Sequence, residues 1–483
     1  MLASLSGLLQ NPFTADMTAI INVVAGFTTE PFEPSLQRWC ATAIGVNVTV
    51  HHCGYDTVMM ELLSPTSTFA SADADSSANV VFVRAADCNE LCDAIGSYCA
   101  AGKRAPLIVV GCPNGPSGPK GGNFSKLERT CNPMVGVIFA EAATFLAPSE
   151  IELDPVAEKI GAMPYSQLTY DALGTVAARA LAYSKHSYKV ICVDCDNTLW
   201  QGVVGELAPS DMKSLVGNTL LMQRLARAKA HGALLITVSK NIEKDVLAAF
   251  AAHPEWPLKA DDFVAHKVSY DPKSKSIIDV AAELQLSKLT DFCFLDDNPT
   301  EIGEVQANAP GVACLHVPTE RQDDYVRACW ALDALKATRE DLQRTDLYKT
   351  EAVRQQGKSL NFGEWIASLD IRTSFAPAAG DDEKARLVQM AARTNQFNFT
   401  TERLAAFPES PAEVVLVRVT DKHGDYGIVG AIIYSVSGPT LTVANFMMSC
   451  RVLGRGGARL RVCRPELHPN GTEYPRQELP GGV

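Results

Sequence analysis

Val193-Asp194-Cys195-Asp196-Asn197-Thr198-Leu199-Trp200 closes the largely apolar run Tyr188-Lys189-Val190-Ile191-Cys192-Val193. A continuous apolar run of this length reads as a buried parallel strand. Ligands of open α/β sheets bind where such strands end. Asp194 and Asp196 are therefore expected to project from a strand tip into a crevice. There one carboxylate can attack phosphorus while the other handles protons, with a metal ion held between them.

Working outward, three further segments fall at or just past the end of an expected strand. Val238-Ser239-Lys240-Asn241 places a hydroxyl where it can hold a phosphate oxygen. Asp271-Pro272-Lys273-Ser274 supplies a cation in a loop before a helix, and Phe294-Leu295-Asp296-Asp297-Asn298-Pro299 offers a carboxylate pair suited to a hard cation. Each piece alone has an ordinary explanation: a turn, a surface pair or a helix cap. Their order along one strand–helix alternation is what points to phosphoryl chemistry. That chemistry needs cations to offset the charge of the phosphoryl group, a nucleophile, and an acid/base.

At 483 residues the chain suggests roughly two to four domains. A formal net charge of −12 argues against a general nucleic-acid binder. The apolar stretch Thr18–Phe27 is too short to span a bilayer, so no membrane partner is expected. The 14 cysteines are scattered, and Cys88, Cys92 and Cys99 lack the paired pattern of a zinc site. Free thiols and a cytoplasmic location are the expectation.

Three units and their flanks are expected. Residues 17–150 form an α/β domain with strands at Asn22–Ala25, Asn47–Val50, Val80–Val83 and Leu107–Val110, and residues 151–186 form a helical connector. Residues 187–345 form a second α/β domain, with strands at Val190–Val193, Ala233–Val238, Asp262–Val268 and Phe292–Leu295. Residues 346–463 read as an α+β domain, in which a helix at Asp381–Thr394 precedes strands at Val414–Val419, Gly430–Tyr434 and Leu441–Phe446. Residues 464–483 read as a disordered tail and residues 1–16 as a frayed lead-in. In the first unit no nucleophile–His–Asp set is evident, and His51 and His52 lack a serine elbow, so structural or docking use is expected there.

The order DxDxT, Ser, Lys and acidic pair resembles the haloacid dehalogenase superfamily, a Rossmann-like α/β fold. That resemblance implies Asp194 as nucleophile and Asp196 as acid/base. Thr198, Ser239 and Lys273 would bind phosphate, with Lys240 and Lys267 as rival cations. Asp194, Asp196, Asp296 and Asp297 would hold Mg²⁺. Asp196-Asn197-Thr198-Leu199-Trp200 with Gly202-Val203-Val204-Gly205-Glu206, Ser239-Lys240-Asn241 and Pro272-Lys273-Ser274 is similar to the narrower FkbH-like family. Such proteins load a glyceryl unit from 1,3-bisphosphoglycerate, or use a related acyl phosphate, onto an acyl carrier protein in polyketide-type biosynthesis.

Outside the middle unit, Phe27-Thr28-Thr29-Glu30-Pro31-Phe32-Glu33-Pro34 is similar to that family's amino-terminal SGNH-hydrolase-like domain. Arg393–Thr400, Gly424-Asp425-Tyr426-Gly427 and Ser449–Gly456 resemble its carboxy-terminal GNAT-like domain. The sequence departs from the pattern at Gln201, Val238 and Leu207-Ala208-Pro209, and the family-like helix is lost after Gly456, so an incomplete carboxy-terminal GNAT-like domain is one expectation. For acyl transfer to a carrier thiol, Cys450, trailed by Arg451 and Arg455, is the first candidate thiolate, and Cys195 the second. Strand alternation points Cys195 away from the two aspartates, into the core. By charge complementarity the arginines Arg451, Arg455, Arg459 and Arg461 are expected to form a docking patch for an acidic carrier, the alternative being a solvated helix or loop face. The rival readings are a small-molecule phosphatase without transfer and a catalytically idle carrier-docking module.

Overall fold

The structure is a computed structural model, and it describes residues 18–449 apart from 103, 115–123, 147–149, 287, 338–344, 346–347, 349–369, 394–397, 401–403, 405–406, 409–411, 423 and 439. The lead-in 1–16, the tail 464–483, Cys450 and the arginines after it all lie outside the described residues.

The first sheet comprises β1 (Thr18–Ala25), β2 (Asn47–His52), β3 (Ser77–Arg84), β4 (Leu107–Cys112) and β5 (Val137–Glu141). All of its pairings are parallel, in the order β2-β1-β3-β4-β5. The central strands β3 and β4 are buried almost throughout, as their unbroken apolar runs require when both faces are covered. On one face, helix Cys88–Ala100 and helix Ser125–Cys131 pack against Val81, Val83, Leu107 and Val109. On the other, helix Gln167–Lys185 contributes Leu173, Val176, Ala177 and Leu181 to the core formed by Ile21, Val23, Val80 and Ile108. The segment read as a connector is thus a structural layer of the first sheet. Gly174 allows it to lie against the chain below, since a Cβ there would collide with Ser35 Oγ.

The second sheet contains β6 (Val190–Val193), whose bounds are those expected from the sequence. A small antiparallel arm follows, β7 (Trp200–Gln201) with β8 (Val216–Gly217). The sheet continues with β9 (Leu234–Ser239), β10 (Phe263–Val268), β11 (Phe292–Asp296) and β12 (Ala313–His316). Its order is β10-β9-β6-β11-β12, again all parallel. From β6 the chain goes first to β9 and β10 on one side, then to β11 and β12 on the other. The reversal falls at β6/β11, where a doubly wound sheet leaves a crevice at its carboxyl edge.

The third sheet is an antiparallel meander of β13 (Arg372–Pro377), β14 (Glu413–Asp421), β15 (Gly424–Ser437) and β16 (Thr440–Met448). Helix Asp381–Arg393 covers one face through Leu387, Met390 and Ala391. Among the described residues no helix is long and apolar enough to cross a membrane, and the described cysteines are free thiols.

Candidate active site

The reversal of strand order puts three separate pieces of sequence at one point. Asp194 follows β6 directly, and its backbone N–H donates to Leu295 O of β11 at 2.9 Å, which ties the two strand tips together. Asp296 is the last residue of β11 and is fully buried; Asp194 is 6% exposed. Lys273 opens the helix Lys273–Glu283 just after Pro272, and its ammonium lies 2.9 Å from Asp194 Oδ1 and 2.5 Å from Asp296 Oδ2. That first turn is pinned from outside, because Ser274 donates both its N–H, at 3.0 Å, and its hydroxyl to Glu304.

Asp297 completes the group. One oxygen from each of Asp194, Asp296 and Asp297 falls within 4.8 Å of the others, a set that can hold a metal ion. Thr198 fixes Asp297, its hydroxyl accepting from Asp297 N–H at 3.1 Å and lying 3.4 Å from Asp297 Oδ1. The ring N–H of His316 donates to Asp297 O at 2.8 Å. Thr198 is fully buried and its hydroxyl is engaged with Asp297.

The electrostatics follow from burial and crowding. Burial, and then the neighbouring Asp194 carboxylate, push the Asp296 carboxyl up to about 6 against the pull of Lys273. Burial also raises Asp194, and burial followed by Asp194 raises Asp297. For Lys273 burial favours the neutral form, but Asp194 and Asp296 outweigh it, so the ammonium stays charged. Three carboxylates face one ammonium, leaving two formal negative charges in excess once all ionise. Oxygen ligands with that excess suit a divalent hard cation.

A pH dependence follows with a definite sign. Asp296 binds its proton more tightly folded than unfolded, so the folded state holds more protons between about pH 4 and 6. Metal-free protein is expected to lose stability as pH rises through that window, and Mg²⁺ to bind more tightly over the same rise, since the carboxyl must ionise to bind it. Melting curves at pH 5 and pH 7.5, with chelator or with Mg²⁺, measure both trends. Metal-free melting that is higher at pH 7.5 would contradict the assignment.

Asp196 sits apart from this acidic group. Its Oδ1 accepts from the Trp200 indole N–H at 2.9 Å and from Val204 N–H at 3.1 Å, and its Oδ2 accepts from Asn241 Nδ2 at 2.9 Å. Asn197 makes the intervening turn at φ 54°, in the left-handed region that Asn tolerates, and its side chain accepts from Gly202 N–H. Trp200 is anchored by stacking on Trp256 at 5.6 Å between ring centres. Asn241 also reaches Ser239 Oγ at 3.1 Å, so one amide sets the positions of the carboxylate and the hydroxyl. Ser239 ends β9 and is 3% exposed, and after burial and Lys273 its hydroxyl also acts on the Asp194 carboxyl, favouring the ionised form. Asn241→Ala is expected to lower turnover by about 10- to 100-fold while the melting temperature changes little. A rate within twofold of wild type would remove Asn241 from the site.

The two rival lysines are engaged elsewhere. Lys240 pairs with Glu301 at 2.7 Å and Lys267 with Glu283 at 2.6 Å, while Lys273 alone of the three lies between Asp194 and Asp296. Cys195 is fully buried in the core beside Val193, Leu199 and Trp200, and burial followed by Asp194 and Asp196 pushes its thiol well up, so it is a poor thiolate. Glu304 was invisible to sequence reasoning, lying 30 residues from the serine it holds. Asn241 was visible only as part of a motif.

No family model and no curated protein matches the chain. Among solved structures it is similar to the N-terminal part of the protein BF1531 from Bacteroides fragilis, which contains a phosphatase domain and is complexed with Mg. Identity is 17% over 70% of this chain and 98% of that one, with a TM-score of 0.47. Ornithine carbamoyltransferase from Pyrococcus furiosus overlaps at 12% identity over 70% of this chain and 84% of that one, with a TM-score of 0.15. Neither overlap is close enough to carry a role over to any residue.

Proposed function

We propose that the chain is a Mg²⁺-dependent phosphatase of the haloacid dehalogenase type. The observation that carries this is the buried Asp194 carboxylate at the tip of β6, 2.9 Å from the Lys273 ammonium and beside Asp296 and Asp297. Asp194 is the nucleophile. Its oxygen bonds to phosphorus as the bond to the leaving oxygen breaks, giving an aspartyl phosphate, and Asp196 protonates that leaving oxygen. Water then attacks phosphorus, gives its proton to Asp196, and frees both phosphate and Asp194. Lys273 offsets charge on the phosphoryl oxygens, and Ser239, held by Asn241, donates to one of them. Asp194, Asp296 and Asp297 would hold Mg²⁺, which supplies further charge neutralisation at the transferring group.

We further infer FkbH-like chemistry, in which 1,3-bisphosphoglycerate is dephosphorylated and its glyceryl unit is loaded onto an acyl carrier protein. The sequence motifs of all three units support this reading, as do the α/β layering of residues 18–145 and the helix-covered meander of β13–β16 for SGNH-like and GNAT-like flanks. The acyl phosphate of that substrate is an activated carboxyl, so a thiolate can take the acyl group with loss of phosphate. Cys450 is the proposed thiolate. Incubation with 1,3-bisphosphoglycerate, Mg²⁺ and a phosphopantetheinylated carrier is expected to add one glyceryl unit to the carrier by intact mass, and Cys450→Ala to abolish the addition. The competing reading is phosphate release without transfer, favoured by the burial of Cys195. Phosphate release that needs no carrier, ignores Cys450→Ala and leaves the carrier mass unchanged would establish it.

A further inference from the structure

The lysine that follows Ser239 stands at the mouth of the Asp194 centre. Ser239 ends β9, and Lys240 is the next residue. In the order β10-β9-β6-β11-β12, β6 lies between β9 and β11. Glu301 belongs to the helix Pro299–Asn308 that follows β11, and the Lys240 ammonium donates to its Oε1 at 2.7 Å. The pair therefore crosses the carboxyl end of β6, where Asp194 stands, from one flanking strand to the other. The Lys240 side chain is 40% exposed and that of Glu301 13%, so the pair turns its cation to solvent rather than its carboxylate. An ammonium has three donors; among the described residues Glu301 takes one, which leaves two for an acceptor arriving from outside.

Stability is a weak reason for such a pair, because partly exposed ion pairs contribute little to it. Glu301 also has a place of its own. It lies in the first turn of its helix, which Asn298 caps by accepting from Thr300 N–H at 2.9 Å, and that end of a helix favours a carboxylate with or without a lysine. The centre itself supplies a stronger reason. Asp194, Asp296 and Asp297 crowd negative charge at the strand tips, and Lys273 is buried and taken up by two of them. A second anionic group on a substrate would meet an edge that is already rich in like charge, and it needs a cation of its own there. Lys240 is placed to supply it. Arg321, in the loop after β12, is turned away to Asp324 through Nε and Nη2 at 2.9 and 2.6 Å.

We propose that Lys240 is a specificity-determining residue that binds a second anionic group, a phosphate or a carboxylate, on the substrate of the Asp194 centre. The inference rests on the reading of that centre as a phosphoryl-transfer site. Consecutive Cα atoms are about 3.8 Å apart. A substrate that reaches Ser239 with one group and Lys240 with the other is therefore short, its two anionic groups separated by a few bonds. The second group docks on the free donors of the ammonium, and no bond to it is made or broken. The contact is the same before and during phosphoryl transfer, so it lowers KM and leaves kcat to Asp194 and Lys273.

The test compares two acyl phosphates on the full chain with Mg²⁺: acetyl phosphate, which has no second anionic group, and 1,3-bisphosphoglycerate, which has one. Phosphate release from acetyl phosphate reports the centre itself, and the ratio of kcat/KM between the two substrates reports Lys240. Wild type is expected to favour the bisphosphate. Lys240→Met is expected to lower the ratio by about 10-fold or more, chiefly through KM, at an unchanged melting temperature. Lys240→Arg, which keeps the cation, is expected to restore most of the preference. A ratio in Lys240→Met equal to that of wild type would overturn the proposal and leave the phosphatase reading standing. So would a wild type that does not favour the bisphosphate, which decides the matter even if the methionine variant does not fold. Release from neither substrate would instead remove the phosphatase reading, and this inference with it.

Discussion

Replacing Asp194 by Asn is expected to abolish phosphate release, by about 10⁴-fold or more, while leaving the fold in place. The size follows from the role: an amide cannot form the aspartyl phosphate, and losing a nucleophile removes the whole covalent route rather than one contact. The fold survives because Lys273 keeps Asp296 at 2.5 Å as a partner after the change. One of three crowded carboxylates is removed, which relieves repulsion that now raises Asp296 and Asp297. Phosphate assays on acetyl phosphate with Mg²⁺, together with melting curves, read both quantities. A loss of activity accompanied by a collapse in melting temperature would mean that Asp194 is structural.

Lys273→Met is expected to damage stability and rate together. Among the described residues the ammonium is the one cation between Asp194 and Asp296, and both carboxylates are buried. Removing one partner of a buried ion pair costs about 3–5 kcal/mol because the charge left behind has no counter-ion. Phosphate release should fall by about 10²- to 10³-fold, the loss typical of one donor aimed at developing charge. The signature that separates this from ordinary core damage is Mg²⁺ dependence. A divalent cation bound by Asp194, Asp296 and Asp297 offsets part of the missing charge, so Mg²⁺ should raise the melting temperature of Lys273→Met more than that of wild type. Equal Mg²⁺ responses would contradict a shared charge centre.

Much of this centre was legible before any coordinates because its parts sit at strand ends, and buried parallel strands announce themselves as apolar runs. Val190–Val193 and the tip residues Asp194 and Asp296 are the clearest cases. Other elements carried weaker signals. Ala313–His316 has only its two middle residues buried, and every residue of Arg372–Pro377 is exposed, so neither carries a long apolar run or a periodic face. Val137–Glu141 is an apolar run that could have been read. The layer role of Gln167–Lys185 depends on which sheet it meets, which periodicity does not encode. The same limit applies to side-chain partners. Nothing in spacing links Ser274 to Glu304, Asn241 to Asp196, or Lys240 to Glu301; folding brings them together.

The central claim is that phosphorus bonds to Asp194, and one measurement addresses it directly. Protein turning over acetyl phosphate with Mg²⁺ is quenched and treated with borohydride, which reduces an aspartyl phosphate to homoserine, and the tryptic peptides are then mapped by mass. Homoserine at position 194, absent without substrate, is the predicted result. Sustained phosphate release with Asp194 unmodified under the same quench would contradict the account.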